Sequence, residues 1–199
     1  MSTTLTVDFF MSLDGYGSAV GWPGYWGKEG PELRQDRVDT FAEDQILVLG
    51  ATTFRQFRHF VNDYDEPYYD RLNEMPKIVF SRTIDPADPG WGNSTVLAED
   101  AVTAVRRLKE TTDTPLRSHG SVSLNRALLA AGVVDRLEVM VFPAVTGKAG
   151  YASLFHGGAE LDLELVETTV LDGRTLKLVY EPTVHGEIPE GVGPRQRQA

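Results

Sequence analysis

Cysteine is absent from the sequence, which excludes disulfide bonds, thiolate catalysis and cysteine-ligated metal sites. Long apolar runs are absent as well, because no stretch approaches the roughly 18 residues that a membrane-spanning helix needs. The N-terminal stretch MSTTLTVDFF lacks the basic segment and the following apolar core of a secretory signal. These absences predict a soluble cytoplasmic protein.

Basic residues are scarce relative to acidic ones. The chain has 19 lysines and arginines against 29 aspartates and glutamates, which gives a net charge of −10. Such a surface repels phosphate backbones, and this argues against general binding to nucleic acid or to an anionic membrane. Any phosphate-binding site must therefore be local. The four histidines show no metal-ligand spacing, so we expect no bound metal.

The 199 residues, of which 41% are hydrophobic, can bury a core as one domain. We place this domain over residues 1–182 and a flexible tail over residues 183–199, where prolines, glycines and the string RQRQ indicate a frayed end.

Buried strands alternate with helices, which predicts an α/β fold with a mostly parallel sheet. The run at residues 46–49 (ILVL) has no polar alternation, as expected for a central parallel strand covered on both faces. Near the C-terminus, two alternating segments flank Asp172-Gly173, the signature of a β-hairpin with a type I′ turn. Residues 16–30 and 144–158 are rich in glycine and predict loops, and residues 115–117 are only a weak strand candidate.

Three corners in the chain are candidate anion sites. The strand at residues 46–49 ends at a glycine and opens at once into a helix, whose first N–H groups have no partner within the helix. A second strand, residues 77–80, is followed by a hydroxyl and a guanidinium, and a third corner precedes another helix. Since the carboxyl ends of parallel strands meet at one edge of a sheet, we expect a single cleft there. The corner residues are Gly50, Thr52, Thr53, Ser81, Arg82, His119, Gly120 and Ser121.

Asp8 interrupts the first predicted strand, residues 5–11. A carboxylate inside a buried strand is costly unless it is paired or faces a cleft. Two interpretations stay open, a strand end that faces solvent and a contact in the cleft.

Two further segments carry candidate site residues. Trp22 and Tyr25 lie among five glycines in the loop over residues 16–30, and they either cover a planar ligand or pack back on the sheet. The helix predicted over residues 32–42 carries Asp36, which is either a solvated surface residue or a proton donor.

Several strings of residues, in their order and spacing, resemble the dihydrofolate reductase-like family. They are SLDG after the first strand, VLGATTF, IVFSR, HGSVSLNRALLAAGVVDRLEVMVFP, TGKAGYASLF and LVYEP in the closing hairpin. They are most similar to the branch related to the reductase domain of the bifunctional riboflavin-biosynthesis deaminase/reductase. The resemblance covers residues 4–182 and implies a mixed eight-stranded sheet, mostly parallel with a C-terminal antiparallel hairpin, and helices on both faces.

The resemblance also implies an NADPH-dependent reductase whose cofactor binds at the three corners. The implied contacts are Gly50, Thr52 and Thr53 for the phosphates, Ser81 and Arg82 for the adenosine ribose and its 2′-phosphate, and His119, Gly120 and Ser121 for the diphosphate and nicotinamide side.

Three residues depart from the pattern of the family. Ala51 stands where the family's LGRxTY string usually has an arginine, which removes a phosphate-binding cation unless Arg82 or Arg55 compensates. His119 stands where a double glycine is common. Asp8 occupies the position of a lysine in riboflavin-pathway reductases, and an aspartate there repels a substrate phosphate or accepts from an N–H edge.

The leading hypothesis is a homodimeric NADPH-dependent reductase that transfers hydride to a small heterocyclic or carbonyl substrate. Asp36 and Asp8 are the candidate catalytic residues, and Asp8, Trp22 and Tyr25 are the candidate substrate contacts. The alternative, motivated by the three departures, is a non-catalytic ligand-binding protein that keeps the fold. A third role, in drug metabolism or antifolate tolerance, would use the same chemistry as the first.

Overall fold

An eight-stranded mixed β-sheet forms the core of the fold in a computed structural model that describes residues 3–186. A separate two-stranded sheet accompanies it. The strands, numbered in chain order, are β1 (Leu5–Ser12), β2 (Tyr16–Ala19), β3 (Ile46–Gly50), β4 (Lys77–Phe80), β5 (Ser94–Leu97), β6 (Leu116–His119), β7 (Arg136–Phe142), β8 (Gly150–Ser153), β9 (Leu161–Leu171) and β10 (Thr175–Val184). The α-helices are α1 (Pro31–Thr40), α2 (Ala51–Phe60), α3 (Pro67–Glu74), α4 (Ala101–Thr111) and α5 (Val122–Ala130).

The strand order across the large sheet is β5-β4-β3-β6-β1-β7-β10-β9. Neighbouring strands from β5 to β7 are parallel, whereas β10 pairs antiparallel with both β7 and β9. The predicted mixed sheet with its C-terminal antiparallel hairpin is therefore confirmed. The strand β3 lies between β4 and β6, as its uninterrupted apolar run predicted.

The two faces of the large sheet are covered by different helices. On one face, α4 and α5 pack on a cluster that includes Val7 and Val139. On the other face, α2 and α3 cover a cluster around Leu49 and Phe54, and α1 reaches a third cluster around Phe142. Coverage of both faces explains why the central strands are apolar throughout. No helix within residues 3–186 has the length and apolar character of a membrane span.

Short strands form in two places where the sequence predicted little regular structure. The strands β2 and β8, both within predicted loops, pair antiparallel with Tyr16 opposite Ser153. The weak candidate at residues 115–117 becomes β6, because β1 and β3 pair with it on either side. Local sequence underestimates such strands because their partners are distant in the chain.

The closing hairpin has the predicted turn. Asp172 and Gly173 have φ values of 52° and 63°, and the N–H of Arg174 donates to the Leu171 carbonyl at 3.0 Å. Positive φ at both central residues defines the type I′ turn. The strand β10 continues to Val184, two residues beyond the predicted domain end, and residues 187–199 of the predicted tail lie outside the described part of the chain.

The tip of the hairpin caps helix α1. The Asp172 carboxylate accepts from the N–H groups of Glu32 and Leu33 at 2.9 and 3.2 Å, and the Glu32 carboxylate accepts from the N–H of Asp172. A Cβ at Gly30 would lie 2.3 Å from the Asp172 carboxyl carbon, so only glycine leaves room for a cap that comes from elsewhere in the chain. This reciprocal arrangement fixes α1 against the last two strands.

We expect Asp172→Ala to lower the free energy of unfolding by about 1–3 kcal/mol, because it removes a helix cap and puts alanine at a left-handed position. Urea denaturation followed by circular dichroism measures the change. The matched control is Asp88→Ala, at an exposed position, which should stay within about 0.5 kcal/mol of the wild type. Equal effects of the two substitutions would contradict the capping role.

Candidate functional site

A cavity of about 720 Å³ opens at the carboxyl ends of the central parallel strands. Its wall includes residues from β1, from the N-terminal turns of α2 and α5, and from the β2–β8 pair. Ligands of open α/β sheets bind at this edge, and the volume lies within the usual range for small-molecule sites. The cavity is therefore the candidate functional site.

Two of the three predicted corners meet at this cavity. The N–H of Gly50 donates to the Ser121 hydroxyl at 3.0 Å, and the N–H of Ser121 donates to the Thr53 hydroxyl at 3.0 Å. Gly120 has a φ of 73°, a conformation that glycine adopts without strain. These bonds join the start of α2 to the start of α5, so both helices point their N-terminal ends at the same space.

The cavity wall fits an anionic group such as a dinucleotide diphosphate. Neither α2 nor α5 has a side-chain cap, so their first N–H groups and the positive ends of their dipoles remain available to an anion. Thr52 and Ser123 add hydroxyls to the wall. Within residues 3–186, no lysine or arginine lines the cavity and no group of acidic or histidine side chains suits a metal ion. Anion binding here therefore depends on backbone and hydroxyl groups.

The third corner stands apart from the cavity. Ser81 and Arg82 follow β4 at the same edge of the sheet, since Gly50 pairs with Phe80. The Ser81 hydroxyl accepts from two backbone N–H groups of the following turn at 3.1 and 3.0 Å, and Arg82 is exposed. Neither residue lines the cavity, whereas Phe80 does. Their contact with the adenosine ribose and 2′-phosphate stays a prediction.

Asp8 is buried at the cavity and shared between two basic groups. It is 2% exposed, its Oδ2 accepts from Arg117 Nη1 at 2.8 Å, and its Oδ1 is hydrogen-bonded to His119 Nδ1. Burial opposes ionisation, but His119 and Arg117 outweigh it and hold the pKa of Asp8 at about 2. Asp8 is therefore an ionised cleft residue, and the interpretation as a solvent-facing strand end is wrong.

Asp36 lies outside the cavity wall. Its Oδ1 accepts from Lys177 Nζ at 2.8 Å, and Lys177 lies 3.8 Å from Glu138. Glu138 lies 3.6 Å from Arg117. Acidic and basic side chains therefore alternate along one face of the sheet, in the order Asp8, Arg117, Glu138, Lys177 and Asp36. Asp36 is the last residue of this row and lies away from the cavity. This position argues against its predicted role as a proton donor.

Tyr25 lines the cavity, whereas Trp22 does not. The Tyr25 ring lies 5.4 Å from the Phe10 ring and 5.9 Å from the Phe142 ring, and the Arg37 guanidinium lies 4.8 Å from its centroid. Trp22 is 40% exposed. Tyr25 thus packs on rings of the sheet and also faces the cavity, and of the two predicted substrate contacts it alone is left there.

The SLDG turn and the TGKAG segment are joined through Asp14. Its Oδ2 accepts from the N–H groups of Thr146 and Gly147 at 3.0 and 2.7 Å. Against a desolvation effect, hydrogen bonds from Ser12 and from these N–H groups lower the pKa of Asp14 to about 2. This contact holds the β2–β8 pair over the cavity, where Tyr151 joins the wall.

Sequence reasoning missed Arg117 and Tyr151. Arg117 comes two residues before His119 in β6, so strand alternation puts both side chains on one face, and this signal could have found it. Tyr151 lies in a glycine-rich segment whose pairing with β2 has no local signal.

The profile of the RibD C-terminal domain matches residues 3–177. The chain belongs to the RibD C-terminal domain family. The resemblance drawn from the sequence motifs is thereby confirmed. Members of this family are NAD(P)H-dependent pyrimidine reductases. None of the curated proteins matches the sequence significantly.

Solved structures of RibD-type reductases share the fold. A pyrimidine reductase-like protein of Corynebacterium diphtheriae is 16% identical with a TM-score of 0.58, covering 92% of this chain and 93% of its own. The riboflavin biosynthesis reductase Rib7 of Saccharomyces cerevisiae is 15% identical with a TM-score of 0.54, covering 92% and 89%.

The diaminohydroxyphosphoribosylaminopyrimidine deaminase/5-amino-6-(5-phosphoribosylamino)uracil reductase of Thermotoga maritima is 15% identical, with a TM-score of 0.64 over 92% of this chain and 57% of its own. At these identities the likeness to all three structures establishes the fold.

We expect Asp8→Asn to destabilise the protein at neutral pH and to have less effect in acid. The folded-state pKa of Asp8, about 2, lies below its ordinary value of 3.8, so its stabilisation is complete above about pH 4 and is lost as the pH falls towards 2. The difference in free energy of unfolding between wild type and Asp8→Asn, measured by urea denaturation, should therefore shrink over that range.

The control repeats the comparison in an Asp14→Asn background. Asp14 also has a pKa of about 2 but makes separate contacts, so the difference caused by Asp8→Asn should be the same in both backgrounds. A difference that stays constant from neutral pH down to about pH 2 would contradict the ionised pairing of Asp8.

Proposed function

We propose that this RibD C-terminal domain protein is an NADPH-dependent reductase that transfers hydride to a small heterocyclic or carbonyl substrate. The observation that carries the proposal is the convergence of two uncapped helix N-termini, α2 and α5, beside the buried pair of Asp8 and His119 in one cavity. One end of the cavity thus suits an anion and the other offers groups for acid–base chemistry.

The binding role falls on the chain's backbone and hydroxyl groups. The N–H groups at the start of both helices would hold the diphosphate, and the hydroxyls of Thr52, Thr53 and Ser121 lie around them. The cofactor supplies a hydride when bound. Gly120 lets the backbone pass close to the nicotinamide side, because a residue with a Cβ would be strained at its φ of 73°. Arg82, outside the cavity, is proposed to meet the 2′-phosphate.

The substrate end of the cavity supports a planar heterocycle. The rings of Phe10, Tyr25 and Phe57 line the wall around His119, and flat faces of this kind pack well on a pyrimidine or a pteridine. We therefore propose a substrate of the 5-amino-6-(5-phosphoribosylamino)uracil or dihydrofolate type. Asp8 does not oppose such a substrate with a free charge, since Arg117 neutralises it at 2.8 Å.

A homodimer is part of the proposal, and an exposed apolar row supports it. In the edge strand β9, Leu163, Leu165 and Val170 are 42%, 52% and 55% exposed, and the register with β10 puts all three on the same face of the sheet. An edge strand with an apolar face invites pairing with another strand. A second copy presents the same edge, which suits the self-complementary contact of a two-fold dimer.

We expect saturable binding of NADPH, measured by the fluorescence of its nicotinamide ring during titration. Ser121→Asp should raise the dissociation constant by at least about tenfold, because it adds a negative charge where the diphosphate would lie. Ser121→Asn is the matched control: it has the same shape and tolerates the left-handed backbone of Ser121, where φ is 36°, so it should change affinity less than about threefold.

Equal affinities of these two variants, or no binding by the wild type, would contradict the cofactor site. Turnover is followed as NADPH oxidation with 5-amino-6-(5-phosphoribosylamino)uracil and with dihydrofolate as acceptors. Binding of NADPH without oxidation by either acceptor would favour the non-catalytic alternative.

Leu165→Glu should convert the dimer to a monomer, because a carboxylate on the apolar row would be buried at the interface without a partner. Sedimentation velocity measures the mass in solution. Glu164→Gln, the neighbouring position on the opposite face, should leave the dimer intact. A wild-type protein that sediments as a monomer would remove the dimer from the proposal.

A further inference from the structure

His119 is the last residue of β6 and lines the cavity, and one of its two ring nitrogens is already hydrogen-bonded within the protein. It is 7% exposed, and its Nδ1 is hydrogen-bonded to Asp8 Oδ1. The remaining sides of the ring are apolar, since the rings of Phe10, Phe41 and Phe57 stand edge-on to it at 5.2, 5.9 and 5.4 Å. Its Nε2 has no protein partner within residues 3–186, and His119 lines the cavity. The free nitrogen is thus the one available to a ligand.

Asp8 fixes the tautomer of this ring. The carboxylate is held ionised, with a pKa of about 2, by His119 and Arg117 against the cost of burial. An ionised carboxylate can only accept, so Nδ1 of His119 must carry the proton of their hydrogen bond. This hydrogen bond also orients the ring, so that Nε2 is the nitrogen left to face the cavity. Asp8 cannot itself donate a proton, since it has none at neutral pH and its Oδ2 is taken by Arg117.

Three other charged or titratable side chains near the pair, Tyr68, Glu138 and Arg37, lie outside the cavity wall. Burial raises the pKa of Tyr68 to about 12, and burial also raises the pKa of Glu138 despite the opposing effect of Arg117. Neither of these side chains lines the cavity, and neither does Arg37, whose guanidinium lies 3.6 Å from the centroid of the Tyr68 ring. Within the described chain, His119 is the imidazole on the cavity wall.

We propose that His119 is the proton donor of the reductase and that Asp8 is its positioning residue. This rests on the proposed function. A dihydronicotinamide held at the starts of α2 and α5 would supply a hydride, with both electrons of its C–H bond, to the electrophilic carbon of a substrate C=N or C=O bond. The freed π-electron pair moves to the nitrogen or oxygen, which forms a bond to the proton leaving Nε2 of His119. The imidazole is then neutral and regains its proton from water.

The first test uses the protein without cofactor. A proton shared in a buried hydrogen bond between imidazole and carboxylate gives a strongly low-field NMR signal. We expect this signal in the wild type and in His156→Gln, a control at an exposed histidine. It should be lost in His119→Gln and in Asp8→Asn. Absence of the signal from the folded wild type, or its survival in either variant, would overturn the assignment of the pair.

The second test separates proton donation from cofactor binding. His119→Gln should lower kcat by about 10²- to 10⁴-fold, the usual contribution of general acid catalysis, while the dissociation constant for NADPH changes less than about threefold. It should also lose the fall in kcat at high pH that deprotonation of the donor causes. Asp8→Asn should lower kcat in the same direction with NADPH affinity kept. His156→Gln should match the wild type in both measurements.

Chemical rescue excludes a merely structural role for His119. In His119→Ala the missing ring leaves space that opens on the cavity, and imidazole in the buffer should restore kcat in proportion to its concentration. Wild-type turnover by His119→Gln, or no rescue of a folded His119→Ala, would overturn the proton-donor role. These outcomes leave NADPH binding and NADPH oxidation by the wild type intact, whereas failure of the proposed function would appear as loss of one or both in the wild type.

Discussion

The structure depends on one buried carboxylate. Asp8 lies in the middle of the large sheet, where an unpaired charge would be strongly destabilising. It is accommodated because Arg117 and His119 each take one of its oxygens. Both partners lie on β6, with His119 directly opposite Asp8 in the register. A shift of one residue would turn both partners to the other face, so this interaction also specifies how β6 pairs with β1.

The same interaction gives the cavity its chemical character. The charged row that begins at Asp8 continues through Arg117, Glu138 and Lys177 on one face of the sheet. Apolar surroundings strengthen electrostatic interactions, and the aromatic rings around His119 provide them at the cavity wall. At the opposite end, the uncapped helices offer N–H groups in place of basic side chains. This local arrangement suits an acidic protein, which cannot attract phosphate through its net charge.

Much of the fold could be predicted because it follows from local pattern. The apolar run of β3 indicated a central parallel strand, and Asp172-Gly173 indicated the closing turn. The corners at Gly50 and Gly120 were predicted to lie at one edge of the sheet, and a direct hydrogen bond links Gly50 to the residue after Gly120. Strand periodicity and turn chemistry act over a few residues, so a single sequence carries this information.

The sequence by itself therefore determined most elements of the large sheet, the edge where the cavity forms and the family. Tertiary structure alone decided which side chains meet there. Asp8 and Arg117 are 109 residues apart in the chain, Asp36 turns to Lys177, and Ser81 bonds within its own turn. Contacts of this kind follow from the register between distant strands and from helix packing. No local pattern encodes either of these, because both depend on partners that only folding brings together.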